Sequence, residues 1–202
     1  MTEVSERRAA TRKRLVRAAI TVFAQRGVMA ASVEEICDEA GFTRGAFYSN
    51  FESKDELCLA LLSERADTYL AAARTAVATM RPAGADVHDL LKQAIDQFAH
   101  TVSEEPDGVL AMMELRLYAA REPGVRDAFT RAQAAINESF ASLIGQVLAE
   151  HHLTTVLPVH DVLYLLHAMY DQISIDQLIE GRRDPAKVSE ALALMLQSVL
   201  AP

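Results

Sequence analysis

At 202 residues the chain has the length of one or two domains, and half of its residues are apolar, which supplies a real core and excludes global disorder. Eight glycines and six prolines leave too few turn formers for an all-β sandwich or barrel. The formal charge of −8, from 20 Lys+Arg and 28 Asp+Glu, argues at face value against a nucleic-acid binder. That charge is unevenly spread: residues 1–26 hold seven positive and two negative side chains, net +5, and the other 176 residues hold 13 and 26, net −13.

The apolar positions recur at three- and four-residue spacing almost throughout, so the chain reads as all-α with about nine helices and no convincing strand. Leu15, Ala19, Val22 and Phe23 form the first stripe, ending at Gly27. Ser32 with Glu35 makes a capping box that opens a second helix, which stops at Gly41. A third runs from Thr43 to about Asn50, and Ser53 with Glu56 opens a long fourth that breaks at Arg81-Pro82-Ala83-Gly84. Breaks at 105–108, 122–124, 157–158 and 181–185 predict helices near 86–103, 109–121, 125–151, 159–180 and 186–200. Residues 1–52 are expected to form one domain and residues 53–202 another.

Cys37 and Cys58 imply no disulfide framework, and both read as reduced, mostly buried thiols. Ala18–Ala24 follows a basic flank but is too short for a signal peptide, and no run approaches the length of a membrane span. The chain is therefore expected to be cytoplasmic, with no membrane partner.

The informative stretch is SVEEICDEAGFTRGAFYSNFESK, Ser32 to Lys54. Two short helices around Gly41-Phe42 make a helix-turn-helix. Phe47 and Phe51, four apart, suit an inward face, which leaves Arg44, Tyr48 and Asn50 pointing away. Gly45, Ala46 and Ser49 are small enough for close backbone approach, and this face has the donors that a DNA major groove accepts. Lys54 and the basic first helix are placed to grip phosphates. The plain alternative is a generic helix pair in which Tyr48 is a core residue and Arg44 a solvated charge.

The first 60 or so residues resemble the TetR family of one-component bacterial repressors. The resemblance rests on Arg12–Gly27 ending in FAQRG, Ser32-Val33, Ile36, Ala40-Gly41-Phe42-Thr43, Gly45, Phe47-Tyr48, Phe51, Ser53-Lys54 and Leu57, in fixed order and spacing. It implies a three-helix DNA-binding domain followed by a six-helix ligand-binding and dimerisation domain. Thr43 then caps the recognition helix and touches phosphate, Arg44, Gly45 and Asn50 face the groove, and Tyr48, Lys54 and Ser32 contact phosphate. Asn50 stands where many members have His.

In the larger half, Val162, Leu166, Met169 and Ile173 form one stripe, and Leu192, Met195, Leu196 and Val199 another. Helices this apolar bury more than one face, and the resemblance implies a four-helix interface with a second copy. An internal hairpin is the alternative. Phe98, Met112, Met113, Leu117, Tyr118, Phe129, Phe140, His167 and Tyr170 suit an adaptable apolar pocket, or an ordinary core.

The resulting expectation is a ligand-responsive repressor. Its homodimer binds a palindromic operator in double-stranded DNA and is released by an unidentified small-molecule effector, with no cofactor and no metal. Two alternatives are a helical interaction module without operator binding, and an enzyme using the Asp96/His100 or His167/Asp171 pair. The absence of a Gly-rich phosphate loop or a nucleophile elbow speaks against the enzyme.

Overall fold

The computed structural model describes residues 2–80, 87–102 and 106–201. Among them the chain forms nine α-helices and one two-stranded ribbon: α1 (Thr2–Ala30), α2 (Val33–Ala40), α3 (Arg44–Tyr48), α4 (Lys54–Ala78), α5 (Val87–Thr101), α6 (Pro106–Arg121), α7 (Pro123–Glu150), β1 (Thr154–Thr155), α8 (Val159–Ile179), α9 (Pro185–Val199) and β2 (Leu200–Ala201). Chain contacts divide these into two compact units. One holds residues 1–64 and 104–132, the other 65–103 and 133–202. This differs from the expected 1–52 and 53–202, because α6 packs along α1 and so joins the N-terminal helices.

In the first unit the apolar stripe of α1, with Leu15, Val16, Ala19 and Phe23, is buried together with Ile36, Phe47, Phe51 and Leu57. Helical geometry breaks at Gly27 (φ 76, ψ 154), a backbone conformation essentially restricted to glycine. Ser32 opens α2: its side chain accepts from the Glu35 N–H, and Glu35 bonds back to the Ser32 N–H. Gly41 closes α2 in the left-handed conformation (φ 68, ψ 36), and the N–H groups of Gly41 and Phe42 return to the carbonyls of Asp38 and Cys37. One residue later, Thr43 accepts from the Ala46 N–H and starts α3. The tight turn is thus specified by the adjoining residues Gly41, Phe42 and Thr43, which close α2 and open α3.

In the second unit α9 packs against α5 and α8. Asp184 caps α9 by accepting from the Lys187 N–H, with Pro185 in its first turn. β1 pairs antiparallel with β2, Thr154 opposite Ala201 and Thr155 opposite Leu200. The sequence reading had no strand. Two residues on each side are too few to show an alternating pattern, and pairing across 45 residues leaves no local signal.

Prolines account for two shifted boundaries. Pro106 and Pro123 were read as breaks, but each occupies the first position of its helix, where a missing N–H costs nothing. The expected break at Arg81–Gly84 and its neighbour at Glu105 lie outside the described residues. Among the described residues no helix is long and apolar enough to cross a membrane.

Candidate nucleic-acid interface and apolar cavity

The turn geometry leaves one face of α3 open. Thr43, Arg44, Gly45, Tyr48 and Ser49 are exposed and Ala46 is half-buried, while Phe47 points into the core against Phe51. Arg44 is 59% exposed. Its guanidinium pairs with Glu34 on α2 and lies 5.9 Å from the Tyr48 ring. The Tyr48 hydroxyl, and after it Glu34, push the Arg44 pKa further up. A fixed cation, a phenol and a hydroxyl on one helix face are groups that base edges and phosphates accept.

Three of the expected contacts are oriented differently. Asn50 is buried at 7% exposure instead of facing outward. Its Nδ2 donates to the Ala46 carbonyl at 2.8 Å and to Ser49 Oγ at 3.2 Å, and its backbone carbonyl accepts from Arg12. Ser49 keeps helical geometry (φ −76, ψ −12), so Asn50, three residues after Phe47, falls on the same buried face. Lys54 also faces inward. Its ammonium donates to the carbonyls of Val28 (2.6 Å) and Ala31 (2.8 Å), where the kink at Gly27 leaves α1 with open acceptors. Ser32 has its hydroxyl committed to Glu35, whose carboxyl those Ser32 bonds hold below the usual range. A phosphate at the start of α2 meets that carboxylate first.

The basic first helix divides by role. Arg12 reaches Glu56 at 3.4 Å and stacks on Phe51, and Arg14 donates to the Ala40 carbonyl at 2.9 Å while stacking on Phe42. These two arginines tie α1 to the reading motif, a function that composition alone did not reveal. Arg7, Arg8, Lys13 and Arg17 are exposed.

The second unit contains an apolar cavity of about 200 Å³ walled by α4, α5, α7, α8, α9 and the ribbon. Of the nine expected pocket residues, Phe98, Phe140, His167 and Tyr170 line it. Met112, Met113, Leu117, Tyr118 and Phe129 belong to the other unit and do not. The first four are on α6, which packs on α1, and Tyr118 donates to Asp55 at 2.7 Å with its ring 5.7 Å from the Lys54 ammonium. Burial, and then that bond to Asp55, raise the Tyr118 pKa. Leu117 is 47% exposed. The wall contributed by α4, Tyr69, Ala73, Ala76 and Val77, with Met80 just beyond its end, was missed, although the spacing of 4, 7 and 8 is one helix face.

Four of the eight residues of the expected dimer stripe are enclosed by the chain itself, and the other four are partly buried. Val162, Leu192, Met195 and Val199 are buried within the single chain. Leu166, Met169, Ile173 and Leu196 pack beside them, and Leu166 and Leu196 line the cavity. A side chain already enclosed by its own protomer has no surface to offer a partner. The exposed apolar side chains on these helices are instead Tyr164, Leu165, Ile179 and Leu194.

In the Asp96/His100 pair the two side chains take other partners. Asp96 accepts from the Ser189 hydroxyl, and the His100 ring bonds the Asp96 backbone carbonyl at 2.7 Å. Among the described residues no group of three or more His, Cys, Asp and Glu side chains is placed to hold a metal ion.

The family model described as "Bacterial regulatory proteins, tetR family" matches residues 15–61, and "Tetracyclin repressor-like, C-terminal domain" matches residues 82–200. The chain belongs to the TetR family. As a TetR-family protein it is a DNA-binding transcriptional regulator rather than an enzyme. The transcriptional activator FasR of Mycolicibacterium smegmatis is 33% identical over 103 residues, 51% of this chain and 45% of that one. The "Probable acrEF/envCD operon repressor" of Escherichia coli K12 is 47% identical over 47 residues, 23% of this chain and 21% of that one. The chain thus spans less than half the length of these relatives. The crystal structure of a TetR-family regulator from Rhodococcus sp. shares the fold, with a TM-score of 0.72 at 23% identity, covering 96% of this chain and all of the other.

Proposed function

We propose that this TetR-family regulator is a repressor that binds a palindromic operator as a homodimer and is released by a small-molecule effector. The observation that carries the reading is that one chain holds both an exposed reading face on α3 and an apolar cavity in a separate compact unit. On this reading residues 1–52 contact DNA, with Thr43, Arg44, Gly45, Tyr48 and Ser49 at the groove, and residues 53–202 bind the effector and dimerise. Each protomer reads one half-site, the two lying about 34 Å apart along the duplex. The four exposed apolar side chains of α8 and α9 are the natural centre of the interface between copies. Effector and DNA then oppose each other through a coupling of about 1–3 kcal/mol.

Footprinting on the duplex upstream of the chain's own gene tests this. Two symmetric protected half-sites are expected, with a reporter that rises when the gene is deleted. Sedimentation as a monomer at micromolar concentration, or a reporter that falls on deletion, rejects the dimer or the repressor respectively.

A further inference from the structure

The cavity of the second unit presents a surface that is almost wholly carbon. None of the described residues that line it is Asp, Glu, Lys or Arg. Those with a nitrogen or oxygen in the side chain are Tyr69, Thr155, His167 and Tyr170. Ligand pockets ordinarily hold a few polar groups that meet complementary groups on the ligand. Here such groups are turned to the protein itself.

Thr155 Oγ1 donates to the Leu157 carbonyl at 2.7 Å. The Tyr69 hydroxyl accepts from Arg65 at 3.1 Å and stands 3.4 Å from the Tyr170 hydroxyl, which donates to the Val102 carbonyl at 3.4 Å. His167 sets its ring edge-on to Phe140, with centroids 6.1 Å apart. Half-buried Arg65 is not part of the lining, and its guanidinium lies 5.4 Å from the centre of the Tyr69 ring. Its charge therefore meets the cavity only through a phenol. An ion moved from water into this space loses its hydration and gains no charged partner. A neutral hydrocarbon gains from the same transfer in proportion to the area it buries.

From this chemistry we infer that the cavity takes an uncharged, hydrocarbon-rich molecule and rejects a carboxylate or an ammonium on the same carbon skeleton. Selection by charge holds whether the skeleton is a chain or a ring. The inference rests on the proposed effector role of this cavity and adds the chemical class of the effector.

Calorimetric titration of the full chain without DNA tests it on two skeletons, at about pH 8 where an ordinary histidine is neutral. One series is octanol, octanoate and octylammonium. The other is naphthylmethanol, naphthoate and naphthylmethylammonium. In each series the alcohol is expected to bind at least about tenfold more tightly than either ion. Ala73→Leu on α4 and Ile144→Phe on α7 fill the space from two different walls. Each is expected to weaken both alcohols by at least about fourfold, the loss of one buried methylene, and thermal melts report whether each variant is folded. An ion that binds within about tenfold of its alcohol on either skeleton overturns the inference. So does alcohol binding that both filled variants leave unchanged, or the failure of both alcohols to bind. Operator release is read separately by mobility shift. Alcohols that bind with this preference yet leave the DNA complex intact reject effector release and keep the charge-excluding site. An ion that binds as tightly as its alcohol and frees the DNA does the reverse.

Discussion

Arg44 is held by two neighbours before any DNA arrives, Glu34 from α2 and the Tyr48 ring from its own helix. An exposed ion pair is worth only about 0–1 kcal/mol, so a base edge or phosphate displaces Glu34 at small cost. Arg44→Ala is therefore expected to weaken operator binding about 10- to 100-fold in mobility-shift titrations, with an unchanged far-UV spectrum. Glu34→Gln is expected to tighten binding up to about fivefold at low salt. A loss instead means that Glu34 has to orient the guanidinium. Lys54 behaves oppositely because its ammonium is spent on the end of α1. Charged hydrogen bonds contribute about 1.5–3 kcal/mol, so Lys54→Met should lower urea stability by about 2 kcal/mol, read from the unfolding midpoint. Burial pushes the Cys58 thiol up to about 12. A raised pKa favours the neutral thiol in the fold, so that stabilisation is full below the ordinary thiol value near 9 and is lost as pH climbs toward 12. At pH 8 a thiol-specific reagent is expected to miss Cys58 in the folded chain and to titrate it in denaturant.

At the scale of the elements, α1 is the helix that the others use. Its Gly27 kink brings carbonyls to Lys54, and a Cβ at Gly27 would lie 2.8 Å from Glu114 Oε2 on α6. Gly27→Ala combines that clash with a forbidden backbone conformation and should cost about 1–3 kcal/mol. Adding Glu114→Ala should recover only the steric part, as thermal melts of the single and double variants will show. Element identity was legible because capping boxes, Gly41 and the apolar periods are local signals. Which face of an element meets which neighbour was not. The packing of α6 along α1 has no local mark, whereas the burial of Asn50 follows from its three-residue spacing to Phe47.

At the scale of the whole molecule the charge distribution sets how DNA is held. The net charge of −8 leaves no diffuse basic field, so affinity depends on a few placed cations. Arg7, Arg8, Lys13 and Arg17 are exposed on α1, whereas Arg12, Arg14 and Lys54 bond within the protein. The salt slope of binding is expected to shallow by about 0.9 for each phosphate contact removed: Lys13→Ala reduces it and Lys54→Met leaves it unchanged. A shallower slope for Lys54→Met would return that lysine to the phosphates. The sequence by itself determined the helical class, the helix-turn-helix with its caps, and the family, because each is written in neighbouring residues at fixed spacing. Tertiary structure alone decided that Met112, Met113 and Tyr118 stand with the N-terminal helices, that Val162 and Met195 are core, and that α4 walls the cavity. A helix with apolar residues around much of its circumference carries no local mark of which side is filled by its own chain, by a ligand or by a partner.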